Sequence, residues 1–570
     1  MLANNEIRKL YLDAKNYDGI IEVSNADSLN MKKIYVLWLV AILLISGIIL
    51  RLVYLNIYKI NFLSKEMSIR VERTVKIKAM RGTIVDRNGK PLAVSTLMPS
   101  IWINPQEVNN LSIEKEIKLT KILGMSIKQL NDKFNQRNKT FVYIKRQITP
   151  KENENISQLK INGLYSQSEF KRYYPTSDVS AQVIGFNNVD DKGVAGIEYA
   201  NNKELFGVDG QKMFIRDRQG NVIENLDNDK LTQNGKQIQL SIDTRLQYIA
   251  YDTLKQQVEK LHAKGGSAVI LDAKTGEVLS MVNIPSFNSN NKIDPKGLNN
   301  MAITNVYDPG SIMKPLVIAK ALDDKIVTPQ TIIVTKQYYV GHKLIKDDEP
   351  EPFLSVRDVI VHSSDIGTSK IALKYKSFTL WNYYRSIGFG EKLGSNFPGE
   401  TNGILLNWKK WRMLDQALMS YGYGISVSLF QMVHAYSIFT NNGCILPITF
   451  YKHQGAVNCN QIISPETANI VKEILADTTQ RGTGLKAQLQ DYTTAGKTGT
   501  AQKLINGHYS NRNHISSFVG FAPDKSPKLI IGIMIDDPKG QYYAATVAAP
   551  VFATIAKKSL HVLNINTDKL

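Results

Sequence analysis

Cysteine is almost absent from this 570-residue sequence, which contains only Cys444 and Cys459. Two cysteines exclude a disulfide framework and a four-cysteine metal site, and the spacing of His508 and His514 does not fit a zinc motif. One disulfide is possible if its domain lies outside the cytoplasm, but the sequence alone cannot show whether the geometry is met. We therefore predict no metal and no cofactor.

The sequence also lacks a Gly-rich phosphate loop and a basic helix with interleaved aromatic residues. The formal net charge of +19 permits attraction to nucleic acid, lipid headgroups or an acidic polymer. The missing motifs argue against nucleic acid as the partner. A hydrophobic content of 43% and a charged content of 21% are typical of a globular protein, and the length allows two or three domains.

Long hydrophobic runs are absent except near the N-terminus, where residues 34–50 carry no charge. This length is close to the minimum for crossing a hydrocarbon core of about 30 Å, and Arg51 can snorkel to extend it. No small-residue cleavage site follows, so we predict an uncleaved transmembrane signal anchor over residues 34–57 after a cytoplasmic tail over residues 1–33. Two lysines just before the run favour this orientation, although basic residues also follow it.

Residues 58–233 have the pattern of a mixed domain with tight turns. Residues 81–94 predict a hairpin around an Asn-Gly turn, and residues 111–138 predict helices. No stretch here resembles an active site by residue type, so we interpret the domain as a spacer or interaction domain.

A domain boundary is predicted near residue 234. Beyond it, residues 238–242 alternate like a strand, and Asp243 can cap a helix that Gly265 and Gly266 would stop. Strands and long helices then alternate irregularly, which predicts an α+β domain over residues 234–563, with helices on an antiparallel sheet. Residues 564–570 form a short C-terminal tail.

The Pro309-Gly310 pair predicts a turn that delivers Ser311 to the start of an apolar helix. Lys314 lies three residues on, on the same helix face, and a partly desolvated lysine can take the proton of a serine hydroxyl. The spacing alone is weak, because solvated Ser-x-x-Lys pairs also occur at Ser112 and Lys115, Ser157 and Lys160, and Ser289 and Lys292.

Two later stretches could complete a serine acyl-transfer site. Ser363 lies in a polar loop between predicted helices and could relay a proton. Lys497 interrupts a strand of small residues, where it and the Thr498 hydroxyl offer a carboxylate a cation and a donor. The same Lys-Thr-Gly letters at residues 274–276 are interpreted as a hairpin turn.

The order Ser-x-x-Lys, Ser-x-polar, Lys-Thr-Gly resembles that of the penicillin-recognising acyl transferases. More closely, the chain is similar to the division-specific class B penicillin-binding proteins of the FtsI type. The further stretches that carry this resemblance are residues 81–93, 172–175, 196–198, 271–287, 307–311 and 421–424.

The resemblance implies a pedestal domain followed by a penicillin-binding transpeptidase domain. Ser311 would be the nucleophile, Lys314 would take its proton, and Ser363 would pass a proton to the leaving amine. The residues expected to bind substrate are Asp365, Lys497, Thr498, Gly499 and Thr500.

The resemblance also implies a D,D-transpeptidase anchored in the bacterial inner membrane, with its bulk in the periplasm at the division septum. Its expected partners are peptidoglycan stem peptides, β-lactams, the membrane, and division proteins that include a glycosyltransferase. No nucleic acid is expected.

Asp365 departs from the family's second motif, which usually ends in asparagine. An ionised carboxylate only accepts hydrogen bonds, and a negative charge near Lys314 favours the protonated, inactive lysine. The neighbouring His362 has no acidic partner placed to make it a triad base. The sequence leaves open a carboxypeptidase or β-lactamase, a division scaffold with an impaired site, and an elongation-type transpeptidase.

Overall fold

The computed structural model describes residues 27–108, 111–216, 222–225, 230–291, 297–453 and 455–569. Residues 1–26 of the predicted tail, Lys292 of the Ser289 pair and the last residue, Leu570, lie outside the described residues. The chain forms two compact units, one of Met1–Lys76 with Gln211–Lys230 and one of Ile77–Gly210 with Leu231–Leu570.

The part of the chain before residue 240 contains short strands and helices. Its strands are β1 (Glu72–Ile77), β2 (Ile84–Val85), β3 (Pro91–Ile103), β4 (Val142–Lys145), β5 (Leu164–Tyr173), β6 (Gly210–Arg216), β7 (Val222–Asn225) and β8 (Ile238–Gln239). Its helices are α1 (Asp27–Val53), α2 (Ile60–Val71), α3 (Ile113–Leu123), α4 (Ile127–Phe134), α5 (Pro150–Ser157), α6 (Ala181–Ile184), α7 (Gly196–Ala200) and α8 (Asn202–Phe206).

The rest of the chain contains longer strands and helices. Its strands are β9 (Gly265–Asp272), β10 (Val278–Ile284), β11 (Ile332–Val334), β12 (Tyr338–Val340), β13 (Lys343–Ile345), β14 (Phe353–Ser355), β15 (Cys444–Ile445), β16 (Asn460–Gln461), β17 (Ala495–Ile505), β18 (His508–Ala522) and β19 (Leu529–Asp536). Its helices are α9 (Thr244–Lys260), α10 (Met301–Thr304), α11 (Lys314–Asp323), α12 (Val356–Val361), α13 (Asp365–Ala372), α14 (Ser377–Ser386), α15 (Met413–Ser420), α16 (Leu429–Ala435), α17 (Ser437–Thr440), α18 (Pro465–Arg481), α19 (Ala544–Val547) and α20 (Ala549–Val562).

The first unit contains the apolar N-terminal helix and a three-stranded sheet of order β1-β6-β7. Among the described residues, Met31–Tyr58 is the one helical stretch that is long and apolar enough to cross a membrane, with a mean hydropathy of 2.7. A π-helical turn, Tyr54–Tyr58, ends this stretch. The segment covers the anchor predicted over residues 34–57.

The second unit is built around a five-stranded antiparallel sheet of order β10-β9-β19-β18-β17. Successive side chains of a strand point to opposite faces, so Ile270 faces one core and Val269 the other. α9 and α20 pack on the first face, whereas α11, α16 and α18 cover the second. The predicted α+β fold, with helices on an antiparallel sheet, is confirmed.

The start of the sheet differs from the sequence expectation. Asp243 caps α9 as predicted, accepting a hydrogen bond from the Arg245 amide. The helix ends at Lys260, however, and Gly265 and Gly266 do not stop it but begin β9, where they pair with β19. A Cβ on Gly266 would lie 3.1 Å from the Leu254 side chain, so the glycine lets α9 pack closely on the strand.

The N-terminal part of this unit contains a sheet of order β4-β3-β2-β8, with β5 also paired to β3. The hairpin predicted over residues 81–94 is present as β2 and β3, and α3 and α4 lie in the predicted helical stretch. The strand predicted over residues 238–242 is shorter than expected, because only β8 pairs with β2. A disulfide joins Cys444 to Cys459 across 5.7 Å between Cα atoms, the option that the sequence left open.

Candidate active site

Ser311 lies in the 3₁₀ turn Gly310–Met313, which leads directly into α11. The Gly310 amide donates a 3.1 Å hydrogen bond to the Gly422 carbonyl. A Cβ on Gly422 would lie 2.2 Å from the Gly310 carbonyl oxygen, so this position requires glycine. The Tyr-Gly-Tyr-Gly stretch therefore packs directly against the turn that carries the serine.

Lys314 is buried and its ammonium group is held by the second motif. Its Nζ lies 3.1 Å from Ser363 Oγ and 2.6 Å from Asp365 Oδ1, and it also donates to the Ser363 carbonyl. Within the described residues, Lys314 Nζ makes no hydrogen bond to the Ser311 hydroxyl. Lys314 follows Ser311 by three residues, but the hydrogen bonds and the ion pair of its ammonium group go to Ser363 and Asp365.

The loop between α12 and α13 holds Ser363 in a left-handed backbone conformation, with φ of 62°. Asp347 secures this loop: its carboxylate accepts from Ser364 Oγ at 2.5 Å and from the Ile366 amide at 2.9 Å. Burial raises the pKa of the Asp365 carboxyl above its usual value, and the Lys314 charge opposes this effect.

Lys497 is fully buried in β17, at the centre of the third motif. Its Nζ donates to Thr483 Oγ1 at 3.2 Å and to the Thr498 carbonyl at 3.3 Å, and Thr498 Oγ1 donates to Thr483 Oγ1 at 2.9 Å. No acidic side chain in the described chain forms an ion pair with it. Burial, together with the Lys314 charge, lowers the pKa of Lys497 well below its usual value, and a ligand carboxylate beside it would favour the charged form.

The last residue of the third motif, Gly499, and the Thr500 that follows it adjoin the serine turn. A Cβ on Gly499 would lie 2.8 Å from the Pro309 carbonyl oxygen, so the small residue allows β17 to approach the turn. The Thr500 hydroxyl accepts a 3.0 Å hydrogen bond from the Ala544 amide. The Thr500 backbone lies beside Gly310.

Family comparisons match almost the whole chain. The model described as the penicillin-binding protein transpeptidase domain matches residues 266–557, and that described as the penicillin-binding protein dimerisation domain matches residues 76–240. The chain belongs to the penicillin-binding protein family. The FtsI-type resemblance predicted from the motifs is confirmed.

Two curated relatives cover both matched regions of this penicillin-binding protein. One, named a probable peptidoglycan D,D-transpeptidase PenA, from Neisseria meningitidis, is 38% identical over 94% of this chain and 93% of its own. The other, named peptidoglycan D,D-transpeptidase FtsI, from Escherichia coli, is 34% identical over 91% of this chain and 90% of its own.

Solved structures agree with this assignment. The transpeptidase domain of Burkholderia pseudomallei penicillin-binding protein 3 is 39% identical, with a TM-score of 0.55 over 58% of this chain and 98% of that one. A peptidoglycan synthetase from Bifidobacterium adolescentis, at 23% identity, shares the fold with a TM-score of 0.70 over 88% of this chain and 98% of that one.

Sequence reasoning missed two side chains of this penicillin-binding protein's site. Thr483 lies between two glycines, just after α18. The two glycines indicate a tight turn, but nothing in the local sequence indicates the contact of Thr483 with Lys497. Asp347 precedes its partners in an acidic stretch with no motif of its own. The other Lys-Thr-Gly copy is a turn, as predicted, with the Lys274 amide bonded to Asp272 Oδ1 at 2.8 Å. No metal-binding group of His, Cys, Asp or Glu occurs among the described residues.

Proposed function

We propose that this chain is a peptidoglycan D,D-transpeptidase that cross-links stem peptides through an acyl-enzyme on Ser311. The observation that carries the proposal is the meeting of Lys314 with Ser363, together with a buried lysine, Lys497, on the strand beside the serine turn. The names of the curated relatives support the same activity.

In the first step, Ser311 Oγ attacks the carbonyl between the two terminal D-alanines of a donor stem. Lys314 takes the serine proton, and Ser363 passes a proton to the amine that leaves as D-alanine. Because an ammonium cannot accept a proton, Lys314 must be neutral when the attack occurs.

In the second step, an amine of a neighbouring stem attacks the Ser311 ester, its proton returns to the site, and the serine hydroxyl is restored. Lys497 and Thr498 hold the terminal carboxylate of the donor, and Thr483 positions both of them. The backbone amides of Ser311 and Thr500 form the oxyanion hole, and Gly499 lets the strand lie close to the substrate.

The apolar helix would anchor the enzyme in the inner membrane by a single pass, with its N-terminus in the cytoplasm and its bulk in the periplasm at the septum. We assign residues 58–233 to the pedestal and residues 234–563 to the transpeptidase domain, which β-lactams would acylate. The disulfide supports an oxidising compartment for the latter. Division proteins, including a glycosyltransferase, are its expected partners.

A second candidate function is a division scaffold with an impaired site. The 2.6 Å ion pair between Lys314 and Asp365 favours it, because the carboxylate holds the amine that would otherwise act on Ser311. An elongation-type role differs only in its place in the cell, and depletion separates the two: filaments indicate division, round cells indicate elongation.

The test is labelling of the purified protein with a fluorescent penicillin, beside Ser311→Ala. We expect a stable adduct on the wild type and none on the variant. A folded wild type that is not labelled would support the scaffold, whereas rapid release of hydrolysed penicillin would support a β-lactamase.

A further inference from the structure

A surface of aromatic and basic side chains has no part in the chemistry above. It is formed where the start of α14 meets the 3₁₀ turn Trp408–Lys410. We call it the aromatic–lysine surface, and it consists of Lys376, Phe378, Trp408, Lys409, Lys410 and Trp411. Several of these residues line one open cleft.

The aromatic rings of this surface are held in place and differ in exposure, since Phe378 is exposed whereas Trp408 and Trp411 are half-buried. The Phe378 side chain is 50% exposed, and its ring centroid lies 5.5 Å from that of Trp408 at an interplanar angle of 69°. Trp411 Nε1 donates a 2.9 Å hydrogen bond to the Leu406 carbonyl, which fixes the indole without help from a ligand. Preset rings that keep part of their surface accessible are typical of binding surfaces.

The lysines of the surface carry charge that no acidic side chain neutralises. Lys376, Lys409 and Lys410 are exposed, and within the described chain none of them forms an ion pair. Lys409 Nζ lies 5.8 Å from the Trp408 ring centroid. The nearby Arg385 and Arg412 are already paired, with Glu391 and Asp415. The positive potential of the free lysines therefore suits an anionic ligand.

The surface is joined to the candidate active site by two helices. Ser377 Oγ donates to Gln416 Oε1 at 2.7 Å, and Gln416 Nε2 donates to the Ala372 carbonyl at 2.9 Å. α13 has Ala372 at this end and Asp365 at the other, seven residues and roughly 10 Å away. α15 likewise leads from here into the Tyr-Gly-Tyr-Gly stretch, so two helices connect the surface to the elements around Ser311.

We propose that the aromatic–lysine surface binds the glycan strand of the peptidoglycan being cross-linked. The apolar faces of its sugar rings would stack on Phe378 and Trp408, and the carboxylates of its stems would pair with the lysines. Alternating rings and anionic groups match this polymer better than they match a uniformly anionic lipid surface. The inference rests on the proposed function and deepens it, because it makes a strand, rather than a short peptide, the preferred substrate.

The experiment measures binding of full-length protein, in detergent, to soluble uncross-linked glycan strands that carry pentapeptide stems. Two variants remove the two kinds of contact: Phe378→Ala with Trp408→Ala, and Lys376→Glu with Lys409→Glu and Lys410→Glu. We expect each to weaken strand binding at least about tenfold, the size typical of truncated interface anchors. Added salt should weaken wild-type binding, and the rate of penicillin acylation should stay unchanged in both variants.

A matched variant, Lys260→Glu with Lys274→Glu and Lys525→Glu, makes the same charge change elsewhere on the surface and should bind strands like the wild type. The lysine variant changes only exposed side chains, so it tests the surface even if the aromatic variant does not fold. Wild-type strand affinity in the lysine variant would overturn the proposal. A variant that loses binding to vesicles of anionic phospholipid or to a protein partner, but still binds glycan strands, would overturn it as well. Failure of the proposed function would instead appear as an unlabelled wild type.

Discussion

Asp365 is the residue that most distinguishes this site from the family pattern. The carboxylate lies 2.6 Å from Lys314 Nζ, where an asparagine would present a neutral amide. The ion pair holds the lysine in a defined position, but it directs the amine at the carboxylate rather than at the Ser311 hydroxyl. The same contact with Asp365 therefore positions Lys314 and competes with Ser311 for its amine.

We expect Asp365→Asn to accelerate acylation of Ser311 by penicillin. Loss of the carboxylate removes the ion pair that competes with the Ser311 hydroxyl for Lys314 Nζ, and each 1.4 kcal/mol taken off the activation barrier changes the rate about tenfold. Stopped-flow measurement of the acylation rate at neutral pH tests this expectation. The control is Asp365→Ala, which has neither the carboxylate of the wild type nor the amide of the asparagine variant. An unchanged or slower rate in the asparagine variant would mean that the carboxylate does not restrain the lysine.

Lys497 predicts that carboxylate binding is coupled to proton uptake. Burial lowers the pKa of Lys497 in the empty site, and a bound carboxylate would raise it by pairing with the ammonium. At a pH between these two pKa values, Lys497 is neutral in the empty site and protonated in the filled site. Binding should therefore take up a proton, and affinity should fall as the pH rises through that window.

Calorimetry of Ser311→Ala with a peptide ending in D-Ala-D-Ala measures this uptake, in buffers of different ionisation enthalpy. A matched peptide ending in D-alaninamide lacks the carboxylate and should take up no proton. Equal heats in all buffers for the acid peptide would contradict the predicted coupling.

At the scale of elements, the buried ions of the N-terminal part hold separate segments together. Glu198 on α7 accepts from Arg81 Nε at 2.7 Å and from Arg172 Nε at 2.7 Å, with all three side chains almost fully buried. Arg81 lies just before β2, and Arg172 lies on β5. One carboxylate thus joins a helix, a strand and the segment before a hairpin, which explains why three of the family stretches meet here.

We expect Glu198→Gln to destabilise this part of the protein by about 3–5 kcal/mol, because it leaves two buried guanidinium groups without their anion. Urea unfolding, followed by a probe in this part of the chain, measures the loss. The exposed pair of Glu114 and Lys118 supplies the control, since Glu114→Gln should change stability little. Similar urea midpoints for both variants would show that the ion pairs of Glu198 with Arg81 and Arg172 stabilise the protein no more than a surface pair does.

At the scale of the whole molecule, the chain combines one strongly apolar helix with a large globular unit. The apolar side chains of α1 are mostly exposed, as in Leu37 and Leu50, at 68% and 70%. Exposed leucines in such a run are stable in lipid rather than in water. The net charge of +19 adds a general attraction to anionic surfaces, including the acidic polymer proposed as substrate.

Removal of residues 1–58 should transfer the protein from the membrane fraction to the soluble fraction while leaving penicillin labelling intact. The physical reason is that the deleted helix is the one apolar span found among the described residues. Fractionation with a carbonate wash, beside the full-length chain, measures the change. Retention of the shortened protein in washed membranes would mean that another surface holds it there.

The sequence by itself determined the family, and it predicted Ser311 as the nucleophile and Lys497 as part of the third motif. A turn before Ser311, a lysine three residues later and a strand of small residues around Lys497 are local patterns, and local turn and helix chemistry is readable from neighbouring residues. The pattern of strands and helices predicted the α+β domain, and the order of the motifs along the chain predicted its activity class.

Only the tertiary structure decided which distant side chains complete the site. Thr483 beside Lys497, Asp347 beside Ser364 and the disulfide each join residues that lie 14 or more positions apart. The Gly265 and Gly266 error has the same origin, because strand pairing and the packing of α9 overrode the local tendency of glycine to end a helix. Contacts of this kind depend on the path of the whole chain, which no local pattern contains.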